Sequence, residues 1–113
     1  RSLPARVERT AAVHNLGRVA QFALAFAHDD PELLRGATDD RLHQAHRLPL
    51  VPGAAAAIAA GVEAGAWCGW LSGSGPTVGL LADTTVVDEV VRSLPVGGHA
   101  KVLTIDADGA RQL

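Results

Sequence analysis

The sequence has few of the residues that nucleic-acid sites, disulfides and cysteine-based zinc sites require. Only two Trp and two Phe are aromatic among its 113 residues, too few for a platform on which bases stack. The ten basic residues are scattered, and the net charge is −2. No basic face therefore points to nucleic acid or to an anionic membrane as a partner. Cys68 is alone, which excludes an internal disulfide and a zinc site built on several cysteines.

Long hydrophobic runs and methionine are missing as well. The longest apolar stretch, residues 51–62, contains Pro52, Gly53 and Gly61 and is too short to span a bilayer. No signal peptide is recognisable, so we expect a cytoplasmic protein. Because the sequence contains no Met and opens with Arg1, we expect it to be a piece of a longer protein, truncated on its N-terminal side.

A length of 113 residues with 48% apolar content is typical of one globular domain with a modest core. Apolar residues at three- and four-residue intervals predict one long helix over residues 4–27. Asp29 or Asp30 is expected to cap a short helix through residues 32–34. No linker and no internal repeat divides the chain, so residues 1–113 are interpreted as a single domain.

The middle of the chain predicts two further helical segments. Residues 38–46 are expected to form a short helix or turn, with Asp39 as its cap. A proline-bounded loop over residues 48–52 leads to an alanine-rich helix over residues 53–64. Gly65 follows that helix at the position where a left-handed glycine commonly ends one.

The last third predicts a hairpin, a helix and a strand. Apolar runs at residues 67–71 and 77–81 are interpreted as paired strands joined by a glycine-rich loop. Thr85 and Asp88 have the spacing of a capping box ahead of an amphipathic helix. Residues 101–105 are expected to form a further strand. Together these elements predict an α+β domain with helices against one face of an antiparallel sheet.

The glycine-rich loop of the hairpin, Ser72-Gly73-Ser74-Gly75, has two interpretations. Two glycines separated by one small residue permit positive φ and expose successive N–H groups, which suits an anion such as phosphate. Taken alone, the same pattern is also typical of an ordinary hairpin turn. No lysine follows the second glycine, so the loop is not a P-loop, and Val78 occupies the place of the third glycine in G-x-G-x-x-G.

Three ordered motifs resemble the GHMP small-molecule kinases, and in particular their homoserine kinase branch. The stretch L-S-G-S-G-P-T-V at residues 71–78 is similar to the C-terminal glycine motif of that family. Residues 38–53 resemble the D-x-L-H-Q-x-x-R…L-x-P-G stretch, and residues 3–18 resemble the L-P…A-V-x-N-x-x-R helix. The resemblance covers about residues 1–105. It implies a ferredoxin-like antiparallel sheet and a separate N-terminal nucleotide-binding domain outside this sequence.

The resemblance assigns substrate-binding residues. Arg47, which follows L-H-Q, matches the arginine that binds the carboxylate of homoserine, and a planar guanidinium suits a carboxylate because it donates two parallel hydrogen bonds. Without the resemblance, an arginine before a loop is usually an exposed surface residue. Arg1 lies one residue closer to L-P than the family's second carboxylate-binding arginine. His43 matches a family position near the substrate pocket.

Other polar residues are expected to have structural roles. Asn15 and Arg18 are one helical turn apart, and we expect them to make a polar contact that orients the long helix against the sheet. His43 and His46 lie near Asp39 and Asp40, but no further ligand is fixed by the sequence, so no metal site is predicted. No Ser-His-Asp or Cys-His constellation is recognisable, and no catalytic residue is assigned to this chain.

The resemblance implies an ATP-dependent kinase that phosphorylates the hydroxyl of L-homoserine in threonine biosynthesis. ATP and Mg²⁺ would be bound mainly by the N-terminal domain, with Ser72 to Gly75 packed near the phosphates. This chain alone is then expected to be inactive, and a homodimer of the whole protein is compatible with the sequence. Two alternatives remain: the diphosphocytidyl-methylerythritol kinase branch, which shares S-G-S-G-P-T, and a non-catalytic amino-acid-binding α+β module.

Overall fold

A computed structural model describes residues 3–109 of the protein. Arg1 lies outside the described residues. In chain order the regular elements are α1 (Arg9–Ala27), a first 3₁₀ turn (Pro31–Leu34), α2 (Gln44–Arg47), a second 3₁₀ turn (Leu48–Leu50), α3 (Ala54–Glu63), β1 (Cys68–Leu71), β2 (Val78–Leu81) and α4 (Val87–Ser93).

The two strands form an antiparallel ribbon. Cys68 pairs with Leu81 at one end of the ribbon, and Leu71 pairs with Val78 at the end that meets the glycine-rich loop. Trp70 lies opposite Gly79, and its indole fills the space that a side chain at position 79 would need. An aromatic ring thus covers a glycine that would otherwise weaken the strand.

One face of the ribbon is covered by α3. Gly61 of α3 and Gly69 of β1 both lie against Leu80, so close that a Cβ on either glycine would come within 2.6 Å of a Leu80 methyl carbon. Because these two glycines have no side chain, the helix can pack closely on the strands. The outer side of α3 is covered by α4, and Ser93 of α4 donates a hydrogen bond to the carbonyl of Ala60 at 3.2 Å.

The opposite face of the ribbon packs against α1 and the first 3₁₀ turn. Ala25, Leu34 and Cys68 form the buried centre of this cluster. Phe22 lies edge-on to Trp70, with 6.5 Å between the ring centroids. Edge-to-face contacts of this kind stabilise a core beyond the area that they bury, by about 0.5–1.5 kcal/mol.

The α+β class predicted from the sequence is confirmed. The sequence predicted helices on one face of the sheet, whereas in the structure α3 covers one face and α1 the other. The prediction of a strand over residues 101–105 is wrong, because these residues have no strand partner within residues 3–109. The apolar residues of this segment remain largely exposed within the described part of the chain: 57% for Val102, 73% for Leu103 and 73% for Ile105.

Two helix starts also differ from their predicted positions. The first helix begins at Arg9 rather than near Pro4, because Glu8 is extended and its side chain does not cap the helix. The capping box at Thr85 does not form, since the Thr85 hydroxyl donates to Asp83 at 2.7 Å instead of accepting from the next turn.

The Asp30 cap is confirmed: its carboxylate accepts from the N–H of Glu32 at 3.1 Å.

Candidate functional site around Arg47 and the glycine-rich loop

Asp40 builds the turn from which α2 begins. Its carboxylate accepts backbone hydrogen bonds from Leu42 at 2.8 Å, His43 at 2.9 Å and Gln44 at 2.6 Å. These are N–H groups that a helix start leaves without intrahelical partners. Asp40 therefore caps the turn that leads into α2, whose own N-cap residue is His43. The prediction that Asp39 has the capping role is wrong.

Asn15 ties the same turn to α1. Its side-chain amide donates to the carboxylate of Asp40, and its side-chain oxygen accepts from the N–H of Arg41 at 2.9 Å. Arg18 instead donates to Gln21 on its own helix at 2.8 Å. The polar contact expected from Asn15 thus exists, but it orients α1 against the turn before α2 rather than against the sheet.

The hydrogen bonds to Asp40 control its ionisation. Burial alone would raise the pKa of this carboxyl, but donation from Asn15 and from the N–H groups of Gln44, Leu42 and His43 outweighs burial and lowers the pKa from 3.8 to about 2. The carboxylate is therefore the form that the folded protein stabilises. Its stabilising contribution is complete above the unfolded pKa of 3.8 and is lost as the pH falls towards 2.

We expect Asp40→Asn to remove this acid-sensitive part of the stability. A pKa shift of this size corresponds to about 2 kcal/mol of unfolding free energy near neutral pH. The difference between the wild-type protein and Asp40→Asn should then shrink as the pH is lowered from 5 to 2, as measured by denaturant unfolding. Asp39→Asn removes one acidic charge from the same turn and is the control. A difference between wild type and Asp40→Asn that does not change with pH would contradict this assignment.

Arg47, at the end of α2, contacts the glycine-rich loop. Its Nη1 donates to the carbonyl of Gly73 at 3.1 Å. Its Nε is buried and has no hydrogen-bond partner within residues 3–109. A buried donor without a partner is costly, by about 1–3 kcal/mol. The guanidinium is therefore anchored on one side and still has an unused donor for an acceptor that comes from elsewhere.

The glycine-rich loop has the backbone shape that its sequence indicates. Gly73 and Gly75 have φ of +58° and +83°, values that favour glycine. The N–H of Ser72 bonds to the carbonyl of Thr77 at 2.9 Å, and the N–H of Gly75 bonds to the carbonyl of Ser72 at 3.1 Å. The N–H groups of Gly73 and Ser74 make no hydrogen bond within the described residues. Two successive donors are thus free at the tip of the loop.

His43 lies apart from this loop. Together with Asp40 and Gln44 it lines an open groove of about 410 Å³, whose walls are formed by the apolar side chains of α1 and β1. Its Nε2 is 3.6 Å from the Asp40 carboxylate, and its Nδ1 is buried without a partner among residues 3–109. Arg47 does not line the groove. The structure therefore places His43 and Arg47 on neighbouring turns without bringing their side chains into one pocket.

Two residues that the sequence interpretation left without a role connect α2 to the ribbon. Gln44 is 7% exposed, and its side-chain oxygen accepts from the N–H of Leu71 at 2.7 Å. Thr38 donates from its hydroxyl to the carbonyl of Gly69 at 2.9 Å. The only sign of this role in the sequence was that Gln44 belongs to the L-H-Q motif. Its burial became visible only in the structure.

No group of three or more His, Cys, Asp or Glu side chains within residues 3–109 is arranged to hold a metal ion. His46 is exposed, and Asp39 pairs with His14 at 3.1 Å. Residues 64–82, which contain the glycine-rich loop and both strands, include no Asp or Glu, so this segment offers no carboxylate to a magnesium ion.

Comparison with known families agrees with this geometry. The sequence profile of the family described as "GHMP kinases C terminal" matches residues 14–98, which include most of α1, Arg47 and the glycine-rich loop. The chain belongs to this family.

Relatives of this GHMP kinase C-terminal domain include homoserine kinases from several bacteria. The chain is 39% identical over 115 residues to "Homoserine kinase" of Desulfitobacterium hafniense, an alignment that covers 96% of the chain and 39% of that protein. It is 41% identical over 115 residues to "Homoserine kinase" of Streptomyces avermitilis, covering 98% of the chain and 36% of that protein. The domain thus spans less than two fifths of the length of these relatives.

A solved structure with the same fold belongs to another homoserine kinase. The crystal structure of homoserine kinase from Cytophaga hutchinsonii superposes with a TM-score of 0.75 at 25% identity, covering 81% of this chain and 30% of that one. The two-stranded ribbon with its flanking helices is therefore an arrangement that a homoserine kinase contains.

Proposed function

We propose that this domain is the C-terminal, substrate-binding part of a homoserine kinase and that Arg47 binds the carboxylate of L-homoserine. The observation that carries the proposal is the position of the guanidinium. Nη1 is anchored on the Gly73 carbonyl, while Nε is buried and unpartnered within the described residues. A carboxylate that accepts from the Nε side would satisfy this donor and would form charge-assisted hydrogen bonds.

The proposed contribution to phosphoryl transfer is positioning. Such transfers depend mainly on holding the acceptor hydroxyl in line with the γ-phosphate and on stabilising charge. Arg47 would fix the carboxylate end of homoserine, so that its hydroxyl points away from α2. Because Arg47 also bonds to Gly73, the position of the substrate would be tied to the shape of the glycine-rich loop.

ATP would approach this domain at the tip of the loop. The free N–H groups of Gly73 and Ser74 belong to the loop whose Gly73 carbonyl contacts Arg47, and they suit a phosphate oxygen. Following the resemblance to the GHMP kinases, we assign the main ATP site and the Mg²⁺ site to the rest of the kinase. Mg²⁺, when bound there, would neutralise charge on the phosphates. Arg1 stays a prediction as a second carboxylate ligand, and so does His43.

The rest of the kinase is also the proposed cover for an apolar surface of this domain. Val13, Leu16 and Val19 of α1 are 60%, 70% and 67% exposed. Exposed apolar side chains in such a row are typical of a surface that another part of the protein covers. The remaining length of the relatives is sufficient to supply that part.

We place the complete enzyme in the cytoplasm and propose that it forms a homodimer. No helix within residues 3–109 is long and apolar enough to cross a membrane.

The experiment that tests this function uses the full-length protein that carries this domain. The purified protein is incubated with ATP, Mg²⁺ and one alcohol at a time, and the phosphorylated product is identified by ³¹P NMR. We expect phosphate transfer to L-homoserine. Transfer to diphosphocytidyl-methylerythritol instead would favour the other kinase branch, and binding of amino acids without any transfer would favour a non-catalytic module. Either result would overturn the proposal.

We also expect residues 1–113 alone to have no homoserine kinase activity. The sequence has no P-loop lysine, and the chain spans only 39% of the length of the Desulfitobacterium hafniense homoserine kinase, so most of such an enzyme lies outside it. The exposed apolar residues of α1 should in addition favour self-association of the isolated domain. Homoserine-dependent ADP formation, measured with and without Arg47→Ala, tests the expectation. Turnover above background that Arg47→Ala abolishes would show that the catalytic groups lie in this domain.

A further inference from the structure

The outer edge of β1 is covered by two side chains instead of a strand. The hydrogen bond from Ser72 to Thr77, at 2.9 Å, continues the register of the ribbon, so the backbone groups of residues 68, 70 and 72 face β2. The backbone groups of Gly69 and Leu71 therefore face the opposite edge. There the Gly69 carbonyl accepts from the Thr38 hydroxyl at 2.9 Å, and the Leu71 N–H donates to the Gln44 amide oxygen at 2.7 Å.

Gln44 also closes this arrangement on its other side. Its amide nitrogen donates to the carbonyl of Thr38 at 2.7 Å, so both ends of the side-chain amide are hydrogen-bonded. With 7% exposure, the amide replaces the peptide group that a neighbouring strand would offer. A buried amide that is hydrogen-bonded through both its oxygen and its nitrogen favours one arrangement of the elements that it joins.

The residues that Gln44 joins lie next to the proposed substrate site. Leu71 is the last residue of β1 and immediately precedes the glycine-rich loop. Arg47 lies one helical turn after Gln44 and donates to Gly73, two residues after Leu71. The segment carrying Arg47 and the segment carrying the loop are thus joined by two hydrogen bonds, of which only the one that Gln44 accepts from Leu71 is buried.

We propose that Gln44 and Thr38 are positioning residues that lock the outer edge of β1 to α2 and so fix the distance between Arg47 and the glycine-rich loop. This inference rests on the proposed function, because these hydrogen bonds would affect catalysis by fixing the position of Arg47 for homoserine binding. Neither residue touches the substrate in this account. Their effect on the reaction passes through Arg47 and Gly73.

Gln44→Glu is the informative substitution, tested in the full-length protein. A neutral glutamic acid has the shape of glutamine and can both accept from Leu71 and donate to Thr38. An ionised carboxylate has no donor, so it cannot form the hydrogen bond to the Thr38 carbonyl. Burial raises the pKa of such a carboxyl, by up to about 3–5 units, and the nearby charge of Asp40 acts in the same direction, against the lowering effect of the Leu71 N–H. Protonation of the introduced carboxylate at lower pH is therefore expected to restore both hydrogen bonds.

The measurement is kcat/KM for homoserine from pH 8.5 to pH 6, expressed as the ratio of variant to wild type. We expect this ratio to rise roughly tenfold or more for Gln44→Glu as the pH falls, with the homoserine KM returning towards the wild-type value. For Gln44→Leu, which cannot form either bond, the ratio should be low at every pH. Asp40 and His43 line the same groove as Gln44, and Cys68 contacts Thr38. All three are present in every protein compared, so the neutral variant Gln44→Leu shows how far the ratio depends on pH without the added carboxyl.

The second pair of variants is Thr38→Val and Thr38→Ser, and it carries the test if Gln44→Glu does not fold. Thr38→Val should raise the homoserine KM, whereas Thr38→Ser, which keeps the hydroxyl, should restore it. Variants must be folded at the assay temperature, as checked by thermal melting. Wild-type KM and kcat in folded Gln44→Leu and Thr38→Val, or a Gln44→Glu ratio independent of pH, would overturn the inference. A wild-type protein that does not phosphorylate homoserine would overturn the proposed function instead.

Discussion

Replacing Arg47 with alanine in the full-length protein is expected to raise the KM for L-homoserine roughly ten- to a hundred-fold. The reason is the loss of a charge-assisted hydrogen-bonded pair with the substrate carboxylate, which corresponds to about 1.5–3 kcal/mol. The KM for ATP should change little, because the proposed ATP site lies mainly outside this domain. Steady-state kinetics with each substrate varied in turn measures both constants.

Two further variants separate the charge of Arg47 from its shape. Arg47→Lys keeps the charge but loses the planar fork, so it should restore only part of the affinity for homoserine. Arg41→Ala removes a positive charge from an exposed position in the same segment and is the control. An unchanged homoserine KM in Arg47→Ala would remove Arg47 from the site, and an equal rise in Arg41→Ala would indicate a general effect of charge.

Replacing Gly75 with valine is expected to cause the largest loss of activity in the glycine-rich loop. At a φ of +83° a β-branched residue is strained, by about 1–3 kcal/mol. A Cβ there would also lie 3.0 Å from a methyl of Val51 and 3.1 Å from a methyl of Leu71. Crowding of this kind adds about 1–3 kcal/mol. Both kcat and the melting temperature should fall.

Gly73→Val isolates the backbone effect. A Cβ at this position meets nothing within 4 Å, so the substitution introduces strain at a φ of +58° without crowding. We expect a smaller loss of stability than in Gly75→Val but a clear loss of activity, because the Gly73 carbonyl holds Arg47. Ser74→Ala is the control and should be close to wild type. If both valine variants kept wild-type rates and melting temperatures, the loop would be an ordinary hairpin turn.

The sequence predicted the elements that depend on local signals. The hairpin around the glycine-rich loop followed from two apolar runs and the glycines between them. Gly65 follows the C-cap of α3 at the expected position, with a φ of +112°. The cap at Asp30 followed from its position directly before Pro31. Each of these features is determined by residues close together in the chain, so a short stretch of sequence is sufficient to indicate it.

Features that depend on distant contacts were missed. Residues 101–105 have the composition of a strand, but a strand forms only where a partner edge is available. Asp40 became the cap instead of Asp39 because Asn15, 25 positions earlier, donates to it. Gln44 is buried because it meets Leu71, 27 positions later. The D-x-L-H-Q stretch contains both Asp40 and Gln44, but it does not say which distant residues they contact.

The central claim, that Arg47 binds the substrate carboxylate, is tested most directly by changing both partners. L-homoserine and its carboxamide, which lacks the negative charge, are compared as acceptors in wild-type protein and in Arg47→Ala. The account predicts that the wild-type protein prefers homoserine strongly and that Arg47→Ala loses most of this preference, giving a coupling of about 1.5–3 kcal/mol between residue and carboxylate. A preference of equal size in both proteins would contradict the claim.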